Sequence, residues 1–190
     1  MSSYPFVAGS TLTANQLNQY AGLVYIDSID PVADQVDTGF GLWQLDVDDV
    51  FSSDFANYRI VITGRTTTNS SLSMQISGVT YPGLSAYHSN LFYFSPSSAG
   101  GLTEVNAFST SLWSLGYLDT VNRTGCTLDI FGPYLGGRPR YWCNFASYRA
   151  GFAAGLTAST STASSTGFTL FTLYAWQNTS SIEVYGYNDD

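Results

Sequence analysis

Lysine is absent from this 190-residue chain, histidine occurs once, and six arginines carry all the side-chain positive charge. With a formal charge of -8 and a pI near 4.2, the chain cannot build the broad basic footprint that a nucleic-acid backbone demands. Without lysine, phosphate-loop and Schiff-base chemistry are excluded. His88 is the one imidazole available to a Ser-His or Cys-His nucleophile, and no Gly-x-Ser-x-Gly elbow accompanies it. Two cysteines are too few to hold a metal alone, and no metal or cofactor is expected. Long apolar runs are missing too. The start, "MSSYPFVAGSTLTANQ", has neither the basic beginning nor the apolar stretch of a secretory signal, and no segment reaches spanning length. The expectation is a product of the cytosol that inserts in no membrane.

What is present is a β composition. Ser, Thr, Gly, Tyr and Phe dominate, and straight-chain helix formers are few. Strands are expected around residues 23–29, 40–47, 58–63, 72–79, 91–94, 104–111, 124–131, 140–148, 168–176 and 182–187. Short runs of this kind, separated by Gly, Pro, Asn and Ser clusters, predict an all-β, jelly-roll-like β-sandwich. In "LSMQI", Leu72, Met74 and Ile76 share one face and Ser73 and Gln75 the other. "GFTLFTLYAW" is apolar on both faces, as a central strand would be, with a second subunit as one candidate for the cover. "GLTASTSTASSTG" reads as a surface loop or hairpin tip.

One helix signal stands out: Thr13 followed by Gln16, a capping-box spacing that starts a short helix through Leu17, with Gly22 available to end it. The chain therefore divides into an N-terminal segment, 1–22, and a sandwich domain, 23–190. The segment is either an attachment arm or a lid over one end of the core.

"VFSSDFANYRIVI" introduces its strand with a polar turn: Ser52, Ser53, Asp54 and Asn57 form the turn and Phe51 and Phe55 anchor it. Tyr58, Ile60 and Ile62 then enter the core. The stretch resembles a pattern of bacteriophage minor structural and tail-appendage proteins. The start "PFVAGSTLTANQLN" is similar to the leading segment of tailed-phage virion proteins, and "SSIEVYGYN" to their closing strand. The resemblance implies a non-enzymatic β-sandwich appendage on a tail fibre, baseplate or capsid, commonly a homotrimer. It implies docking to other virion proteins through Phe6, Leu12, Thr13, Gln16 and Leu17, and contact with the host surface. The stretch from Tyr81 to Tyr148 matches no motif of that family.

Two aromatic and arginine-bearing segments, "TYPGLSAYHSN" and "GPYLGGRPRYW", supply the candidate partner contacts Tyr81, Tyr87, His88, Tyr134, Arg138, Arg140 and Trp142. Aromatic faces carry the apolar side of a sugar ring while polar groups bond its hydroxyls, which makes a host glycan one candidate partner. The same residue types also close sandwiches and subunit contacts. Cys126 and Cys143 fall on neighbouring strands joined by "GPYLGGRP", so a disulfide is geometrically conceivable, although cytosolic thiols usually stay reduced. Asp46, Asp48, Asp49 and Asp54 cluster as calcium ligands do but lack EF-hand spacing, and a solvated acidic turn is the favoured reading. Glu104 and Glu183, with the many aspartates, are the carboxylates a glycosidase pair could draw on. Sequons at Asn69, Asn122 and Asn178 carry no information in a bacterial cytosol. Besides the tail appendage, a capsid-decorating protein and a carbohydrate-active enzyme or lectin-like module remain as readings.

Overall fold

The computed structural model describes residues 22–77, 87–94, 101–157 and 164–188. The capping box at Thr13 and Gln16, the anchor candidates Phe6, Leu12 and Leu17, and the contact candidate Tyr81 lie outside the described residues. In chain order the elements are β1 (Leu23–Ile29), α1 (Pro31–Asp34), β2 (Val36–Asp37), β3 (Trp43–Val47), β4 (Asn57–Gly64), β5 (Ser70–Ser77) and β6 (Tyr87–Phe94). There follow β7 (Leu102–Thr110), β8 (Trp113–Leu118), β9 (Thr124–Phe131), β10 (Arg140–Ala146), β11 (Ala150–Thr157), β12 (Gly167–Thr172) and β13 (Ser181–Tyr187).

These strands form two antiparallel sheets, one ordered β1-β13-β4-β9-β10-β11-β6-β7 and the other β2-β3-β12-β5-β8. The inward side chains of both make one core, so the architecture is a β-sandwich. Period-two alternation decides which residues enter it. Leu72, Met74 and Ile76 on β5 are buried from the small sheet, and Tyr58, Ile60 and Ile62 on β4 from the large one. Each such side chain contributes roughly 1.5–3 kcal/mol by leaving water. Aromatic contacts link the layers: Trp113 of β8 meets Tyr87 edge-on at 5.3 Å and Tyr141 at 4.8 Å. Beside them Gly116 has φ 147, and a Cβ there would come within 2.6 Å of the Phe145 ring, so only glycine fits.

The polar turn before β4 does the work expected of it. Phe51 is buried against Tyr58 and Phe168, at ring distances of 4.6 and 5.8 Å. The Tyr58 hydroxyl donates to the Ser52 carbonyl at 2.9 Å and accepts from the Ser52 N–H at 2.6 Å. Phe55 lies edge-on to Tyr58 and over Gly186 of β13, where a Cβ would sit 2.3 Å from its ring. The turn motif and the "SSIEVYGYN" strand are therefore packed together, and β4 pairs with β13 from Tyr58↔Gly186 to Thr63↔Ser181.

Several local expectations are corrected. The strand expected from residue 40 begins at Trp43, because Gly39 and Gly41 both take positive φ and turn Phe40 out to a loop tip. The one expected over 168–176 ends at Thr172, and Trp176, buried in the core, makes an isolated bridge to Thr66 and backbone hydrogen bonds with the Gln35 side chain. Within the presumed loop "GLTASTSTASSTG", Gly155, Leu156 and Thr157 belong to β11, and residues 158–163 lie outside the described residues. Expected nowhere were β2, β8, β11 and the short α1, which Asp30 caps through its carboxylate to the Val32 N–H. β12 is central in its sheet and buried along most of its length, as its two-sided apolar pattern predicts. No helix among the described residues is long and apolar enough to cross a membrane.

Candidate functional site: an aromatic groove on the large sheet

The outer face of the large sheet is laid out by its registers. One row runs Phe131, Arg140, Leu156, His88 across β9, β10, β11 and β6. The next runs Asp129, Trp142, Ala154, Asn90, and the third Thr127, Asn144, Phe152, Phe92. Residues opposed in an antiparallel register project from the same face, so the rows form a grid of neighbouring side chains. Trp142 stacks on Phe152 at 5.3 Å and 13°, and Phe152 on Phe92 at 5.0 Å and 25°. This ladder crosses three strands at the surface, where Trp142 keeps 42% of its area exposed.

Where Ala154 interrupts the large side chains, the face sinks into an open groove of about 660 Å³. Ala154 and Gly155 are its floor, Arg140 and Trp142 one wall, and His88 and Asn90 the other, with Phe131 and Leu156 among the lining residues. Glycine at 155 is needed for the floor to form. A Cβ there would lie 2.1 Å from the His88 carbonyl oxygen and 2.6 Å from the Tyr141 ring. Tyr141 lies beneath, its hydroxyl donating to the Ser114 carbonyl at 2.7 Å, and burial raises its pKa.

Beside the groove, Arg59 grips Asp129 through two hydrogen bonds of 2.7 and 3.0 Å, and the Tyr187 hydroxyl donates to the same carboxylate at 2.7 Å. Burial works to raise the Asp129 pKa, but these donors outweigh it and hold the carboxyl below its ordinary range. Burial and the bond to Asp129 push Tyr187 up to about 12.

Of the contact candidates, the fold brings together His88, Arg140 and Trp142. Tyr87 instead points inward, 1% exposed, with its hydroxyl accepting the Ile76 N–H at 3.2 Å. Tyr134 packs half-buried against the core, and Arg138 is exposed in the loop before β10 without lining the groove. Sequence reasoning passed over Asn90, Phe131, Phe152, Ala154 and Leu156. Alternation in "YHSNLFYF" was the available signal for Asn90.

The other chemical candidates are placed as follows. Glu104 is on edge strand β7 and Glu183 on β13, six strand spacings apart across the sheet. That is about 28 Å, far beyond the roughly 5–9.5 Å of a glycosidase pair. Asp46 accepts hydrogen bonds from Gln44 and Thr169, and no cluster of three or more metal-ligating side chains occurs among the described residues. Cys126 and Cys143 are buried free thiols on β9 and β10 with their sulfurs 3.2 Å apart. The contact with Cys126 and burial raise the Cys143 pKa well above its ordinary value.

No family model and no curated protein matches the chain. Among solved structures it is similar to lectin I from Ulex europaeus, determined in complex with the methyl glycoside of α-L-fucose. That likeness has 9% identity over 89% of this chain and 93% of the lectin, with a TM-score of 0.17. At that score it carries no argument about fold or ligand.

Proposed function

We propose that this chain is a non-enzymatic structural protein of a bacteriophage particle, a tail-fibre or baseplate appendage whose large-sheet groove contacts host-surface glycan. In this reading the jelly-roll-like sandwich is the outward domain, the N-terminal helical segment docks to other virion proteins, and the assembly is a homotrimer. The sequence resemblance supports the setting, and the packing of the "VFSSDFANY" turn on the "SSIEVYGYN" strand gives two of its three motifs a common structural purpose.

One observation carries the recognition role: the exposed Trp142–Phe152–Phe92 ladder beside a groove of about 660 Å³. Contiguous exposed aromatic surface of this kind marks interaction sites, and the groove volume lies in the range of roughly 300–1,000 Å³ typical of small-ligand sites. No carboxylate lines it among the described residues, so the side chains described there suit holding a ligand better than hydrolysing one.

Antibody labelling of purified particles tests the setting: label at the tail is expected, label on the shell converts the reading to capsid decoration, and absence from particles overturns it. Adsorption of particles carrying Trp142→Ala tests the role. A loss of about tenfold or more is expected, the scale of one removed hot-spot aromatic.

A further inference from the structure

The polar groups around the groove differ in what already satisfies them. Asp129, directly opposite Trp142 on the β9 side, is closed by Arg59 and Tyr187. Arg140 is exposed and makes no ion pair among the described residues. It is also the one arginine of the lining set, in a chain whose net charge is -8.

Any occupant that fills the groove strips water from that guanidinium. A desolvated charge is costly unless an opposite charge meets it in good geometry. Among the described residues the lining has no carboxylate to pair with it, and neighbouring Asp129 is engaged. The occupant must therefore bring the anion. A planar carboxylate matches the guanidinium fork with two parallel hydrogen bonds.

Shape narrows the class further. Trp142 and Asn90 face each other across Ala154, on strands two spacings apart. Their backbones are about 9.6 Å apart, so the slot accepts one six-membered ring and is too narrow for a helix of roughly 10–12 Å. Among the described residues the indole is stacked by one ring, that of Phe152, and it lines the groove. It thus offers a platform for the apolar face of a sugar ring, with the Asn90 amide positioned for hydroxyls.

We infer that the groove is a subsite for an acidic sugar, a pyranose residue bearing a carboxylate, stacked on Trp142, bonded by Asn90 and charge-paired with Arg140. This rests on the recognition role proposed above and adds the chemistry of the ligand.

The test is calorimetric titration of the full chain with an oligogalacturonide and with the same oligosaccharide after carboxyl reduction. Wild type is expected to bind the acidic form at least about tenfold more tightly, the scale of one charge-assisted hydrogen-bond pair. Arg140→Gln is expected to bring that ratio close to one at an unchanged melting temperature, while Trp142→Ala weakens both forms. Added salt should weaken the acidic arm alone. Equal binding of the two forms by wild type, or an acid preference that survives Arg140→Gln, overturns the acidic-sugar inference and leaves the glycan-recognition reading standing. If neither form binds, the inference fails. If Trp142→Ala particles also adsorb like wild type, the recognition reading fails with it. A dimer that Trp142→Ala dissociates would give the face to a second copy of the chain and overturn both.

Discussion

Across the outer face of the large sheet, the β13-β4-β9 side and the β10-β11-β6 side share one backbone lattice and one core, yet they treat their outward side chains differently. On the first side the polar groups serve one another. Arg59, Asp129 and Tyr187 are mutually bonded, the Arg59 guanidinium also lies 5.4 Å from the Tyr187 ring centre, and Tyr185 donates to Glu183 at 2.6 Å. On the second side Phe92, Phe152 and Trp142 stack in the open and Arg140 makes no ion pair among the described residues. The ion pair of this face, among the described residues, lies on the first side, the wired half. The unwired half adds little to stability and raises the risk of association, which is intelligible if its partner is another molecule.

That contrast can be broken or sharpened by four substitutions, in descending order of expected effect. Gly155→Val drives a side chain into the His88 carbonyl and the Tyr141 ring, which removes the floor on which the unwired half rests. Overpacking against backbone should cost about 3 kcal/mol, read as a lower urea midpoint. Asp129→Asn dismantles the wired half and should cost about 2 kcal/mol, the usual worth of hydrogen bonds to a charged group at a partly exposed site.

The same substitution should also change the pH profile. The folded pKa values of Asp129 and Asp119 are depressed, Asp119 by bonds from Val121 and Asn122 that outweigh its burial. Both carboxylates therefore contribute stability above their unfolded pKa of about 4, and that contribution disappears as pH falls through the folded values. Asp129→Asn should flatten this acid limb in melting curves measured across it. An unchanged limb would mean that the wired half is not wired in solution.

Phe152→Ala takes the middle ring from the ladder and should cost about 1 kcal/mol, the scale of an exposed aromatic pair, with a change in the Trp142 near-ultraviolet circular dichroism signal. Arg140→Gln should alter stability by less than about 0.5 kcal/mol. A larger loss there would show that Arg140 supports the fold and would erase the distinction between the two halves.

Much of the architecture was legible because alternation survives where both layers are present. "LSMQI" places Leu72, Met74 and Ile76 in the core as read, and the turn before β4 places Phe51, Tyr58, Ile60 and Ile62 there. The groove was legible on one wall and in His88 of the other. Arg140 and Trp142 announce themselves by residue type, whereas the floor strand "AGFAAGLT" is made of Ala and Gly, which have low strand propensity and mimic a linker. β11 forms because β10 and β6 pair with it on both sides over its whole length, information that no local window contains. Tyr87 and His88 show the limit from the other direction. They are adjacent in one tyrosine-rich segment, yet opposite sides of the pleat send one into the core and the other to the groove.

The order in which strands are joined has a consequence for biogenesis. β13 lies between β1 and β4, and β12 lies between β3 and β5. The early strands β1 and β3 therefore wait for partners made much later in the chain, and β1 has no other neighbour among the described residues. A nascent chain halted before residue 167 would hold two incomplete sheets with their edges bare, open to pairing with other chains. Folding of such a non-local topology is slow, so the protection a cell gives this protein matters most until β12 and β13 have been made and paired.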